Sequence, residues 1–552
     1  MGLPIVTGTT GAQDRGQGRS MIVSRGGIVA AESPLAAQAG ATILSRGGNA
    51  VDAAVATNAV MGVVEPMMNG IGGDLFAIVY DAKTGKLFGL NASGWAPAKL
   101  TVDLLRAKGA DRMPLRGIDS VTVPGTVEGW SKLLSRFGAK KFAEVLAPAI
   151  HYARDGFPVP EFDAQYWEGA DKELAGDRNA VSTFLIDGRP PRLGEIFRNP
   201  DLARSLEWIA AGGRDAFYKG DIARRILDAS SRLGGAMAPG DLEGYSSEWV
   251  EPISTTYHDW TVYEMPPNGQ GIAALMMLNI METFPLRDLR DTGDALHVMI
   301  EAKKLAYADL LRYVADPRES RVPVAGMLAK GYAAQRAKLI DRARANCSVG
   351  PGEPAFPTSG DTTYLSVVDR DGNMVSLIQS NFSEFGSGVV ADGTGFVLQN
   401  RGALFSLDPS SPNALAGHKR PLDTIIPGFM ARGQERIAFG IMGGFNQAQA
   451  HAQFVSNVAD RGMNIQAALE APRFTKQTFT GCDVQMEDRI PADVRETLAA
   501  RGHQIEVRAG FSSNVGGGQA VRRDFATGVN FGASDPRKDG AAIPEPLTLE
   551  PR

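Results

Sequence analysis

Apolar residues change their spacing along this chain near residue 360. From about 124 to 335 they recur every three or four positions, the period of helices packed on one face, as over residues 126–137, 141–153, 271–284 and 295–313. Beyond 362 they alternate or cluster in short runs bounded by Gly, Asp and Asn, which predicts strands at 364–368, 374–379, 395–398, 437–441 and 519–521. Helices over 448–460 and 465–471 interrupt those strands. Strand-like breaks in the helical region are few, and no internal repeat is visible.

The N-terminal part mixes both patterns. Residues 27–31 predict a buried strand, and Ser33 before Pro34 predicts a cap and a helix running to about 45. Gly47 and Gly48 end it, Asn49 caps a second helix over 50–60, and Glu65-Pro66 closes that one. A glycine turn at 70–74 then leads into a strand at 75–80 with a hairpin partner at 87–91.

Composition narrows the class. Of 552 residues, 43% are hydrophobic and 22% charged, an ordinary globular balance, and the net charge of −5 leaves no basic footprint for nucleic acid. No apolar run reaches membrane-spanning length, and residues 1–10 lack a basic stretch followed by an apolar one. A cytoplasmic protein is expected, or a periplasmic one if a signal was trimmed. Cys347 and Cys482 can form one bridge at most and supply no CxxC metal site. The six histidines, His151, His258, His297, His418, His451 and His503, show no metal-ligand spacing, and surface or packing roles are expected for them. Gly70, Gly72 and Gly73 lack both the GxGxxG spacing and a following Walker Lys, so they read as a packing turn.

Chemistry concentrates where the pattern changes. The Gly/Pro-rich run 349–358 and Ser359-Gly360 lead into Asp361-Thr362-Thr363. A chain cut before Thr362 would make that threonine an N-terminal nucleophile, because its own α-amine, with a pKa of about 8, can take the hydroxyl proton. Uncut, the same residues are a loop entering a strand. In the hairpin that follows, a two-residue Asp371-Gly372 turn puts Thr362 opposite Asn381. A three-residue 370–372 loop with Gly372 left-handed puts it opposite Ser380. In the second register Ser380 can hydrogen-bond the nucleophile; equally, its hydroxyl can satisfy a strand edge. Gly443 and Gly444 follow an apolar strand, so their amides can form either an ordinary turn or an oxyanion hole.

Motifs spread from about residue 26 to 540 resemble the γ-glutamyltransferase family. They include Gly47 to Ala54, Val64-Glu65-Pro66 with Gly70 to Gly73, and Pro266-Pro267 with Gly269 to Gly271. Further on come Asp361-Thr362-Thr363, Lys419 to Leu422, Gly443-Gly444 and Ala471 to Phe474. The resemblance implies an α+β, four-layer αββα N-terminal-nucleophile (Ntn) hydrolase fold. It implies a proenzyme that cleaves itself before Thr362 into a large chain, 1–361, and a small chain, 362–552, which form one intertwined fold and can oligomerise further. Thr362 is then nucleophile, Ser380 stands where the family has a supporting threonine, and Gly443 and Gly444 match the oxyanion glycines. No cofactor is implied.

The substrate pocket departs from the family pattern. Ser93 stands where an arginine grips the α-carboxylate, Leu404 where an aspartate holds the α-ammonium, Phe382 at an asparagine position, and Asp423-Thr424 at paired serines. Arg401, beside Asn400, replaces a polar residue. It can receive a substrate carboxylate or pair with a neighbouring acid. This pattern is similar to the branch with cephalosporin-type acylases and oxamate amidohydrolase. Hydrolysis of a small amide with a carboxylate-bearing acyl group is therefore expected, with Arg401, Asp423, Thr424, Ser93 and Asn400 lining the pocket. The alternatives are a γ-glutamyltransferase or glutathione hydrolase, and an unprocessed, catalytically silent binding protein.

Overall fold

The computed structural model describes residues 16–289, 292–350 and 361–547. Residues 1–10, most of the 349–358 run, and Ser359 and Gly360 lie outside them.

Two seven-stranded antiparallel sheets stack face to face. One runs, edge to edge, Ile22–Ser24, Val529–Ser534, Gly518–Asp524, Glu435–Ile441, Gly428–Arg432, Trp260–Glu264, Ile253–Tyr257. The other runs Ala541–Pro544, Ile28–Ala31, Asp361–Val368, Met374–Phe382, Asp74–Asp81, Lys86–Ala92, Glu248–Val250. Each sheet takes strands from both sides of residue 362.

Two-residue alternation sorts the side chains into layers. In Asp361–Val368, Tyr364 and Val368 join the core between the sheets with Phe76, Phe429 and Val521. Leu365 and Val367 point the other way, onto the helices Pro34–Ser45 and Ala50–Val64. Helices Gly271–Met281, Gly293–Tyr313 and Gln447–Ala459 cover the first-described sheet, the one that holds Glu435–Ile441. The result is an αββα stack. By the same alternation Thr362 and Ser380 belong to the inter-sheet face, at the end of neighbouring central strands.

Local signals act largely as expected. The Asn49 side chain accepts from Val51 and Asp52 N–H and starts Ala50–Val64, four residues longer than the pattern indicated. Ser33 holds the cap position of Pro34–Ser45, but its hydroxyl makes no cap hydrogen bond. Two expectations fail. Residues 395–398 form no strand, only an isolated bridge between Val390 and Val397; Gly395 takes φ +77°, outside the extended region a strand needs. Conversely, Glu248–Val250, Ile253–Tyr257 and Trp260–Glu264 place three sheet strands inside the region read as helical. The alternation of Ile253-Ser254-Thr255-Thr256-Tyr257 is their signal, and it is short beside the helices around it.

Candidate active site

The hairpin has the three-residue loop. Val368 pairs with Met374, Asp369 N–H donates to Asn373 O at 3.0 Å, and Gly372 takes φ +89°. That register holds to Thr363, opposite Gln379; a bulge then shifts it so that Asp361 pairs with Phe382. The extra residue is on Met374–Phe382, so Ser380 and Asn381 both lie opposite Thr362. The Thr362 hydroxyl donates to Ser380 Oγ at 3.2 Å. Ser380 Oγ also accepts the Phe382 N–H at 2.7 Å, which fixes its position. Both hydroxyl residues are fully buried. The glycine turn at 70–73 serves this spot by packing. A Cβ on Gly73 would lie 2.3 Å from the Ser380 carbonyl oxygen, so only glycine lets this turn reach the strand end and place Asp74 opposite Ser380.

The second glycine pair lies at the end of Glu435–Ile441. Gly443 and Gly444 take φ of +121° and +55°, and neither N–H is donated to a described residue. The turn leads into Gln447, the first residue of Gln447–Ala459. Its Nε2 approaches Thr362 Oγ1 at 3.5 Å, while its Oε1 accepts the Ile426 N–H at 3.1 Å. The turn is thus next to the threonine. Gln270 braces it from behind, donating to Gly444 O at 2.8 Å and Thr424 O at 2.6 Å. Gln447 carried no sequence signal. Gln270 was visible only as the centre of Gly269-Gln270-Gly271.

Around the threonine, Arg401 is buried in a polar cluster. Its Nε and Nη2 donate to the two Asp74 oxygens at 2.8 and 3.1 Å, and Nη1 donates to Thr424 Oγ1 at 2.7 Å. Asp423 Oδ1 lies 3.4 Å from Nε, and the Phe382 ring covers the guanidinium at 4.9 Å. Asp423 Oδ2 is buried with no described hydrogen-bond donor. Burial raises the Asp74 carboxyl well above the usual range; Arg401 pulls it down and Asp423 pushes it up again. Arg401, Asp74, Asp423 and Thr424 therefore form one unit, in which one guanidinium faces two carboxylates. Asp74 was missed as a site residue because it read as the end of a packing turn.

Ser93 and Asn400 lie at the edges of this unit. Ser93 Oγ accepts from Asn268 Nδ2 at 3.1 Å, and Asn268 O accepts the Asp423 N–H at 2.9 Å, so Ser93 connects to the cluster through one residue. Asn400 accepts the Ser383 N–H at 3.0 Å and donates to Leu115 O at 2.7 Å, which commits its amide to holding loops. Leu404 is buried among apolar residues.

The fold also joins two histidines that lie far apart in sequence. His297, Glu301 and His503 bring ligand-capable atoms within 4.8 Å of one another. Their partners describe a hydrogen-bond chain: His297 Nδ1 to His503 Nε2 at 2.8 Å, His297 Nε2 to Asp341 O at 2.8 Å, and Lys304 Nζ to Glu301 at 2.7 Å. Burial, aided by Lys304, pushes the His503 imidazole down to about 3. A cation here would have to displace the Lys304 ammonium. Among the described residues no helix is long and apolar enough to cross a membrane.

Comparison with known proteins supplies a family. The family model described as gamma-glutamyltranspeptidase matches residues 36–545. A glutathione hydrolase-like proenzyme of Bacillus subtilis is 38% identical over 515 residues, covering 92% of this chain and 96% of that protein. An oxamate amidohydrolase proenzyme of Klebsiella pneumoniae is 36% identical over 530 residues, covering 94% and 98%. The crystal structure of a cephalosporin acylase from Bacillus halodurans superposes with a TM-score of 0.90 at 43% identity, covering 98% of this chain and 99% of that one.

Proposed function

The chain belongs to the γ-glutamyltranspeptidase family and is an Ntn-type hydrolase; from that premise we propose that it cleaves itself before Thr362 and then hydrolyses a small amide bearing a carboxylate on its acyl part. The observation that carries this reading is the Thr362 hydroxyl, 3.2 Å from Ser380 Oγ and reached by Gln447 from the Gly443-Gly444 turn.

In the precursor, Thr362 Oγ1 attacks the Asp361 carbonyl carbon, the acyl group moves from nitrogen to oxygen, and water hydrolyses the ester. That frees the Thr362 amine. In turnover, Oγ1 attacks the substrate amide carbon while the amine takes its proton and passes it to the leaving amine. Free N–H groups on Gly443 and Gly444 hold the tetrahedral oxyanion. Water then releases the acid and restores Thr362.

Arg401 keeps two N–H groups beyond those given to Asp74 and Thr424, enough to receive a carboxylate or carbonyl. A second reading rests on Asp423. Its unpartnered Oδ2 would suit a substrate ammonium, which favours a γ-glutamyl amide. Assays of oxamate, a glutaryl amide and a γ-glutamyl anilide side by side separate the two; dominant turnover of the anilide overturns the first. On reducing gels the wild type gives two chains of 361 and 191 residues, and Thr362→Ala gives one uncut, inactive chain. Cleavage of Thr362→Ala at the same bond would sink self-processing. An uncut wild type would favour the silent binding protein.

A further inference from the structure

Cys347 and Cys482 are bonded to each other, 135 residues apart. The cut proposed above falls between them, so after it Cys347 belongs to the large chain and Cys482 to the small one. The bridge is also built into the wall of the site. Gly481 N–H donates to Cys347 O at 3.1 Å, which pairs the two strands of chain at the bridge. Three residues before Cys482, the Phe479 ring stands edge-on to Phe445 at 4.8 Å and packs on Tyr307 at 6.1 Å. Phe445 directly follows Gly444, and its carbonyl receives the Tyr307 hydroxyl. Lys303 Nζ holds the other end of the loop, at Thr478 O, at 2.8 Å. Loop 478–482 therefore backs the oxyanion turn and is fastened at its far end by the disulfide.

We propose that this bridge is a redox-sensitive tether: it covalently joins the two mature chains and holds the Phe479 loop against the Gly443-Gly444 turn, so that a dithiol reductant lowers turnover. The tether between chains rests on the proposed cut; the bridge and its contacts do not. The two sulfurs differ in the way exchange requires. Cys347 is exposed, whereas Cys482 is buried with its Sγ 3.6 Å from Lys304 Nζ. A reductant thiolate attacks Cys347 Sγ, the S–S bond breaks, and Cys482 leaves as a thiolate beside the ammonium. The second thiol of the reductant resolves the mixed disulfide. Two electrons pass to the cysteines, and the dithiol becomes a disulfide.

The test uses purified full-length protein, one portion left unalkylated for thiol counting and one alkylated for gels. Thiol titration of the denatured, unreduced and unalkylated chain should find no free cysteine; two titratable thiols overturn the bridge whether or not the chain is cut. Without reductant, a gel should show one band near 58.7 kDa that resolves into two with reductant. Two bands without reductant overturn the tether, whereas one band in both lanes sinks the cut on which it depends. Dithiothreitol treatment and Cys347→Ser should each lower kcat three- to ten-fold with KM within two-fold. An unchanged kcat in both overturns the coupling to the oxyanion turn.

Discussion

Arg401 and Asp74 form one buried pair that, under the proposed function, serves both folding and specificity. Two parallel N–H···O bonds fix the guanidinium plane, and Thr424 takes a third donor, so the remaining donors point in a set direction. Removing Arg401 leaves two acids buried without their cation, a cost of about 3–5 kcal/mol, whereas removing Asp74 leaves Arg401 with Asp423 at 3.4 Å. Arg401→Ala is therefore expected to lower the melting temperature more than Asp74→Ala, and Arg401→Lys, which keeps charge but loses the fork, to raise KM for a carboxylate-bearing amide more than it changes kcat. A KM unchanged in Arg401→Lys would remove that arginine from substrate binding. On the proposed mechanism Gln447 touches the reacting atom, with its Nε2 3.5 Å from Thr362 Oγ1. Losing its donor should cost about 1 kcal/mol, roughly five-fold, in kcat with KM unchanged. Pre-steady-state acylation rates of Gln447→Ala check this, and a wild-type rate would leave Gln447 a packing residue. Arg401 was legible as a cation without its family partners. Its acid was not, because Asp74 lies 327 residues away and only the sheet register brings it close.

At the scale of elements, the hairpin was readable because its loop chemistry is local. Asp369 accepts from Asp371 and Asn373 N–H, and Gly372 supplies the left-handed position, which together select the three-residue loop over the two-residue turn. The bulge at Thr362 was not readable. A two-residue period carries no mark of one extra residue; the loop register already sets Thr362 against Ser380, and the bulge shifts the pairing only beyond that contact. Strands 248–264 were missed for a related reason. They complete sheets whose other members lie far along the chain, and the edge strand Ile253–Tyr257, with Ser254 and Thr256 exposed, has a short apolar alternation. Helix Thr126–Phe137 was placed to the residue, since its packing stripe and the flanking Gly125 and Gly138 are local. By contrast, 141–153, 271–284 and 295–313 differ from Phe142–Asp155, Gly271–Met281 and Gly293–Tyr313 by two to three residues at one terminus each.

At the scale of the molecule, residues from the early part of the chain meet its C-terminal segment around Glu65, and that meeting has a pH signature. Glu65 follows helix Ala50–Val64 and is buried near Lys538 and Asp539 from the C-terminal segment and Asp163 from the middle. Burial raises its carboxyl to about 8; Lys538 opposes this and Asp539 adds to it. Folded protein thus keeps a proton on Glu65 that the unfolded chain, with an ordinary value near 4.5, gives up. Stability from this group is complete below about pH 4.5 and is lost as pH rises toward 8, since the unfolded state then binds fewer protons. Asp163 and Asp539 are raised by burial too and act in the same direction. The melting temperature should therefore fall between pH 6 and 8.5. Glu65→Gln, which imitates the protonated carboxyl in both folded and unfolded states, should flatten that fall and raise the melting temperature above wild type already at pH 6, by less than at pH 8.5. Differential scanning calorimetry at both pH values decides the matter. Equal slopes in variant and wild type would mean that Glu65 ionises in the folded state as it does in water, and that the junction of the two chain ends is wetter than its packing indicates.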